Sequence, residues 1–166
     1  MLAHHLTAAG NSVRAVDQWL KAGQFAAARL THREATGHFD RGLALLGSLP
    51  DGAARDGRET ELQLDRGLSL FTTEGFISNA AAEAYIRARE LAERRGDTHK
   101  LFIAVYGRWQ STAGSGRLVA SRGLSDRLLR LTAGKADDGL RMQAHLFVCR
   151  RAGVRTRALR GGAPAL

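Results

Sequence analysis

Apolar residues recur along this chain at intervals of three and four positions, the spacing that places side chains on one face of an α-helix. Between residues 12 and 22, for example, the stripe consists of Val13, Val16, Trp19 and Leu20. Similar stripes follow along most of the sequence, and we find no convincing strand or hairpin pattern. The pattern therefore predicts an all-α protein.

Glycines and other turn-forming residues divide these stripes into about nine predicted helices. We expect helices at residues 1–9, 12–22, 24–30, 31–46, 58–73, 79–95, 101–113, 118–131 and from residue 140 onwards. Helices about fifteen residues long, joined mostly by short turns, indicate an α-solenoid of antiparallel helical hairpins.

Three local features of these predicted helices are specific enough to test. Gly23 is expected to allow a tight bend between two helices. Thr31 and Glu34 have the spacing of a capping box at the start of the next helix. Residues 48–57 contain a proline and two Asp-Gly pairs, which predict a loop.

Large and small residues alternate on the predicted helical faces of residues 19–50, and again around residue 85. The positions are Trp19, Ala22, Gly23, Ala26, Ala35, Phe39, Gly42, Ala81, Tyr85 and Ala88. An aromatic residue set against alanine and glycine lets two helices approach closely. A single pair of this kind leaves an apolar face uncovered, so we expect similar pairs to stack beside it.

This hairpin unit resembles the tetratricopeptide repeat. In its first helix, the Trp, Leu, Gly and Tyr positions of the consensus correspond to Trp19, Ala22, Gly23 and Ala26. In its second helix, the Ala, aromatic and Ala positions correspond to Ala35, Phe39 and Gly42, and again to Ala81, Tyr85 and Ala88. Alanine at the usual tyrosine, glycine at the second alanine and the loop at 48–57 make these repeats degenerate.

A narrower resemblance covers about residues 1–145. Residues 2–10, 15–24, 41–50, 84–97 and 123–131 are similar to the tetratricopeptide-like region of large bacterial proteins. Those proteins carry a class III adenylate/guanylate cyclase domain and an AAA-type, STAND-like ATPase domain upstream. The resemblance implies a signal-transduction arm that senses a partner or effector, or inhibits the ATPase and cyclase. None of the family's catalytic residues has a counterpart in this chain.

The net charge of +9 invites a nucleic-acid interpretation. Its distribution weakens that interpretation, because residues 146–166 contain five arginines and no acidic residue, while the rest of the chain is only mildly basic. We therefore expect a helical repeat domain at residues 1–145 and a divergent, Arg-rich tail at residues 146–166. The tail is expected to be disordered or the product of a frameshift, which would make the chain a fragment of a longer protein.

Few residues are candidates for chemistry, and each has a simpler explanation. His4 and His5 point about 100° apart on a helix and have no third ligand nearby. Glu34 and His38 share a helical face, but two ligands do not make a metal site. Cys149 is the single cysteine and has no recognisable base beside it.

Two glycine-containing turns are predicted in the C-terminal half of the chain, and neither has the sequence of a phosphate loop. Gly114-Ser115-Gly116 and Gly134-Lys135 both lack the required pattern. The larger aromatic residues lie at helical spacing among aliphatic ones, so we expect core packing; they are Trp19, Tyr85, Tyr106 and Trp109. We accordingly expect no enzyme activity, no cofactor and no bound metal.

The expected function is that of a non-catalytic, protein-binding scaffold whose partner is another protein or the upstream domains of a parent polypeptide. The partner would bind the concave face lined by the first helix of each hairpin. Polar candidates on that face are Lys21, Gln24, Arg29, Gln63 and Gln110. The alternative is a nucleic-acid-binding module that acts through the Arg-rich C-terminus. Without a signal peptide or a membrane-spanning apolar run, we expect a cytoplasmic protein.

Overall fold

The computed structural model describes residues 12–132. All regular structure in this range is helical, which confirms the predicted all-α class. The helices are α1 (Ser12–Ala28), α2 (His32–Leu45), α3 (Ala53–Glu74), α4 (Asn79–Arg95), α5 (Thr98–Gly114) and α6 (Leu118–Thr132). Short 3-10 turns lie at Leu46–Ser48 and Gly75–Ile77. None of the helices described is long and apolar enough to cross a membrane.

The helices from α1 to α5 pack mainly against their neighbours along the chain, and α1 also contacts α3, as α3 contacts α5. Contacts within the chain divide it between Leu124 and Ser125, and α1 to α5 all lie before this division. Two apolar clusters hold these helices together. One contains Phe39 and Leu62, and the other contains Tyr85 and Ala104.

The bend expected at Gly23 is wrong, because α1 continues through this residue to Ala28. A Cβ atom at position 23 would collide with the ring of Phe39 from α2. The glycine therefore provides room for an aromatic neighbour inside a continuous helix. Two of the predicted helices are consequently one, and the range from 12 to 132 contains six helices instead of seven.

The capping box expected at Thr31 and Glu34 is not formed, although α2 begins one residue after Thr31. The Thr31 hydroxyl instead donates a hydrogen bond to the carbonyl oxygen of Ala26, at 2.9 Å. It thereby stabilises the end of α1. Glu34 lies 3.6 Å from His38, one turn further along α2.

The loop expected at residues 48–57 is shorter than predicted, because α3 already begins at Ala53. Only the first Asp-Gly pair lies in the turn, where Gly52 has a φ of 148°. Asp56 lies in the first turn of α3, a favourable place for a negative charge. Gly57 makes room for Arg95, whose guanidinium carbon would lie 3.3 Å from a Cβ atom at that position.

The bounds of α4 agree with the prediction, whereas α5 begins at Thr98, three residues earlier than expected. The Ser78 hydroxyl caps α4 by accepting the amide N–H of Ala81, at 3.1 Å. Gly96 ends α4 in the left-handed conformation, and Asp97 caps α5. The core positions expected for Trp19, Tyr85 and Trp109 are also confirmed, since all three are buried; Tyr106 is partly exposed.

Several predicted features lie outside the described residues. They are the helix at residues 1–9 with His4 and His5, the turn at Gly134-Lys135, the helix from residue 140, Cys149 and the tail at residues 146–166.

Candidate functional site

Charged and polar side chains connect α1, α3 and α5 in a continuous series, which we call the polar stripe. Its members are Asp17 and Gln24 on α1, Arg58, Glu61 and Asp65 on α3, and Lys100 on α5. The α3 members are three and four residues apart, so they share one helical face. The stripe therefore follows from the helical repeat of α3, which lies between the other two helices.

Two hydrogen-bonded pairs join α1 to α3. Arg58 binds both carboxylate oxygens of Asp17, with Nε–Oδ1 at 2.7 Å and Nη2–Oδ2 at 3.3 Å. This bidentate hydrogen bond raises the pKa of Arg58, and burial only partly opposes it. Two turns along α1, Gln24 Nε2 donates to Asp65 Oδ2 at 2.8 Å. Both pairs join residues 41 positions apart, so the two helices keep a fixed register.

Lys100 continues the stripe from α3 to α5. Its Nζ atom lies 2.7 Å from Glu61 Oε1 and 4.0 Å from Asp97 Oδ2. Next to this pair, burial raises the pKa of Asp65, while the hydrogen bond from Gln24 lowers it and the charge of Glu61 raises it further. Burial therefore makes the charged form of Asp65 less favourable than that of an exposed carboxylate.

An open groove of about 420 Å³ lies over one end of the stripe. Its charged lining consists of Asp17, Arg58, Glu61, Arg95 and Lys100. Three of these side chains are basic and two are acidic, so the groove has an excess of one positive charge. The backbone of α3 forms part of its floor, because Ala53, Ala54 and Gly57 carry little or no side chain.

The structure separates the five residues predicted for the interaction surface. Lys21 is exposed on α1, on the same helical face as Asp17 and Gln24, and Gln24 is itself part of the polar stripe. Gln63 is half-buried and points away from the stripe, since it is two residues from Glu61. Gln110 is half-buried on α5, ten residues beyond Lys100.

Arg29 belongs to a different part of the surface, just after the end of α1. Its guanidinium carbon lies 5.6 Å from the centre of the Phe25 ring. Both residues line a second cleft of about 370 Å³, together with Glu34 and His38. Arg29 is therefore not brought together with Lys21 and Gln24.

Sequence reasoning missed the five charged members of the stripe and groove that matter most: Asp17, Arg58, Glu61, Asp65 and Lys100. The spacing of Arg58, Glu61 and Asp65 was visible, but it identifies only a shared face on one helix. If the repeat length is known to be near 40 residues, oppositely charged residues separated by that distance in the sequence can be predicted to pair between neighbouring repeats. The loop wrongly extended to residue 57 concealed that length.

The described residues contain no cluster of three or more His, Cys, Asp or Glu side chains able to hold a metal ion. Comparisons with protein-family models, curated proteins and solved structures find no match to this chain. The fold thus defines an all-helical protein, and the arrangement of its side chains is the basis for any statement about function.

Proposed function

We propose that this chain is a non-catalytic, protein-binding scaffold of the tetratricopeptide-like type, and that its partner binds in the groove over the polar stripe. The observation that carries the proposal is the arrangement of α1, α3 and α5. These helices contact one another in turn and together present charged side chains around an open groove. This is the place where a solenoid of helical hairpins would receive a ligand.

The spacing of the cross-helix pairs supports a repeating architecture. Asp17–Arg58 and Gln24–Asp65 are separated by 41 residues, and Glu61–Lys100 by 39 residues. In the proposed solenoid, each pair would join the first helix of one hairpin to the first helix of the next. Stacked hairpins bury their apolar faces against their neighbours, and the recurrence of similar pairs favours that arrangement.

The chemistry of the groove favours a polypeptide segment as the ligand. Charged side chains of both signs can pair with mixed side chains on a partner, and complementary charges contribute more to specificity and rate of association than to affinity. The single excess positive charge favours a segment with slightly more acidic than basic residues. A micromolar dissociation constant is expected for a small polar contact of this kind.

The family resemblance adds a regulatory version of the same proposal. The scaffold would be the helical arm of an ATPase/adenylate cyclase signalling protein in the cytoplasm, and its ligand would be an effector protein or an upstream domain. In this version binding changes the activity of domains outside the groove, and the chain itself performs no chemistry.

The test is a selection of peptides displayed in a random library against the purified chain. Selected peptides are then synthesised, and their affinities are measured by fluorescence anisotropy for the native chain and for Lys100→Gln and Arg95→Gln. Circular dichroism verifies that each variant is folded. Arg33→Gln is the matched control, because it removes the same charge from an exposed position on α2 that does not line the groove.

We expect at least one peptide to bind saturably, and both groove variants to weaken its binding about 5-fold or more, equivalent to about 1 kcal/mol. Arg33→Gln should leave the affinity unchanged. If no peptide is enriched, or if all three variants have the same effect, the groove is not a peptide-binding site.

A separate titration distinguishes the nucleic-acid alternative. Fluorescent oligonucleotide is added to the full chain and to a chain lacking residues 146–166, at low and at near-physiological salt. Binding through arginines falls steeply with salt, because it depends on the release of counterions. The scaffold proposal predicts no binding at near-physiological salt. Tight binding that the deletion abolishes would favour the nucleic-acid function instead.

A further inference from the structure

A third cavity, of about 260 Å³, lies between the start of α4 and the end of α5. It is separate from the groove over the polar stripe and shares no lining residue with it. Its charged lining consists of Arg108 from α5 and Arg117 from the turn before α6. No acidic side chain of the described residues lines it, although Glu74 lies nearby and accepts a hydrogen bond from Ser78 at 2.5 Å.

Neither arginine in this cavity has a side-chain partner among residues 12–132. In the part of the chain that the structure describes, no hydrogen bond or ion pair involves the guanidinium group of Arg108 or Arg117, whereas Arg58 and Arg87 each bind a carboxylate. Arg108 is moreover only partly exposed. Two cations that share a cavity repel each other, and burial adds to the cost of the charge on Arg108.

The pKa of Arg108 is lowered by its burial and by the neighbouring positive charges of Arg117 and Arg89. An arginine remains protonated at neutral pH even so. The cavity is consequently a place where the protein maintains uncompensated positive charge, and a bound anion would remove that cost.

We propose that this cavity binds the phosphate group of a small soluble molecule, held by Arg108 and Arg117. A guanidinium group presents paired donors that match the oxygens of a phosphate, and two such groups match its double negative charge. The volume is slightly below the roughly 300 Å³ at which pockets for drug-sized ligands begin. A phosphate with a small organic substituent fits such a space better than a larger ligand.

Other groups at the cavity contribute in different ways. Asn79 offers a side-chain amide at the start of α4, where the helix dipole also favours a negative charge. The hydroxyl groups of Ser111, Thr112 and Ser115 already donate to backbone carbonyl oxygens. They are therefore not needed as phosphate donors, and the two arginines supply the main interaction.

The edge of the cavity provides a means of recognising the organic part of the ligand. Phe76 and Ile77 line this edge, and Ile77 is 82% exposed. An exposed isoleucine beside a cationic cavity can pack against an apolar substituent while the arginines hold the phosphate. Phenyl phosphate is thus a suitable probe to compare with inorganic phosphate.

The experiment is a titration of the full chain with inorganic phosphate, phenyl phosphate and acetate by isothermal titration calorimetry at constant ionic strength. The variants are Arg108→Gln, Arg117→Gln and, as a matched control, Arg33→Gln. Arg117 is exposed, so its substitution tests the site even if Arg108→Gln fails to fold.

We expect saturable binding of both phosphates with dissociation constants in the millimolar range or tighter, and binding of acetate that is at least about 10-fold weaker. Arg117→Gln and Arg108→Gln should each weaken phosphate binding about 10-fold, and Arg33→Gln less than about 2-fold. Tighter binding of phenyl phosphate would place its ring against Ile77.

Two results would overturn the proposal. One is the absence of saturable phosphate binding by the native chain. The other is an equal loss of affinity in Arg33→Gln and Arg117→Gln, which would mean that phosphate responds only to net charge. Both results are independent of peptide binding in the groove, so this proposal and the scaffold proposal can fail separately.

Discussion

The ring of Tyr85 in α4 occupies the space that a side chain on Gly107 of α5 would need. On the α3 side, a Cβ atom added to Gly67 would lie 3.0 Å from Cε1 of the same ring. One aromatic residue is therefore enclosed by glycines from the two helices beside it. Phe39 and Gly23 have a similar relationship between α2 and α1.

Because the Tyr85 ring is buried and a Cβ atom at position 107 would overlap it, Gly107→Ala should destabilise the fold. Overpacking of this kind costs about 1–3 kcal/mol. The measurement is the free energy of unfolding from urea titrations followed by circular dichroism. Gly37→Ala is the control, since a Cβ atom at that position of α2 would meet no atom of the described residues within 4 Å.

Gly37→Ala should instead stabilise the protein by about 0.5–1 kcal/mol, because alanine has less conformational freedom to lose in a helix. If both substitutions stabilise the protein equally, then α4 and α5 do not pack as closely as described.

The Arg87–Glu59 pair between α4 and α3 should contribute more to stability than the other ion pairs of this interface. Arg87 Nε lies 2.5 Å from Glu59 Oε1, and the Glu59 side chain is only 11% exposed. The hydrogen bond to Glu59 raises the pKa of Arg87. Arg87→Gln should therefore cost about 1.5–3 kcal/mol, since it leaves a nearly buried carboxylate without its charged partner.

Arg94 provides the matched comparison for Arg87. It lies on the same helix, 57% exposed, with its Nη2 atom 3.3 Å from Asp56 Oδ1. An exposed pair of this kind contributes less than about 1 kcal/mol. Equal effects of Arg87→Gln and Arg94→Gln in urea titrations would contradict the importance of the buried carboxylate.

Asp65 should make stability depend on pH. Burial raises its pKa in the folded protein above the ordinary value of 3.8. The contribution of Asp65 to the free energy of unfolding is therefore fully present below pH 3.8, where the carboxyl group is protonated in both states. It is lost as pH rises through the pKa of the folded state. Asp65→Asn should raise the melting temperature at pH 7, because an amide can still accept the hydrogen bond from Gln24 without carrying a charge.

The advantage of Asp65→Asn over the native chain should shrink as the pH is lowered towards 3.8. Differential scanning calorimetry of both proteins across this range measures the difference. Glu83→Gln, which removes a negative charge from an exposed position on α4, controls for the change in net charge. A pH-independent difference would contradict the role of burial at Asp65.

The N-cap of α5 should depend on the side chain of Asp97, whose Oδ1 atom accepts the amide N–H of Lys100 at 3.0 Å. Asp97→Ala removes this hydrogen bond and should cost about 1 kcal/mol. Asp97→Asn retains a capping oxygen, so most of the stability should remain. The measurement is thermal unfolding of both variants. If both lose a similar amount of stability, the charge of Asp97 stabilises α5 and the capping hydrogen bond does not.

The sequence predicted the local features of the helices better than their lengths. The bounds of α4 are as expected, because Ser78 and Gly96 cap it through interactions within one turn, whereas α5 begins at Thr98, three residues before its expected start. Gly23 misled the prediction, since a glycine inside a helix and a glycine at a bend have the same local sequence. The ring of Phe39, from another helix, decides between them.

The sequence predicted less of the candidate site than of the fold. Lys21 and Gln24 were predicted as surface residues from their polarity, and both lie on the α1 face that carries the stripe. The importance of Arg58 and Lys100 could not be inferred, because the partners of these residues lie about 40 positions away.

The sequence by itself therefore determined the all-helical class and most helix boundaries. Both follow from interactions within three or four residues, which the chain order makes visible. Only the tertiary structure decided which charges pair across α1, α3 and α5, and which glycines provide room for a ring. It also decided that Arg108 and Arg117 share a cavity in which none of the described lining residues is acidic. These relationships depend on how helices pack against one another, and packing joins residues that are distant along the chain.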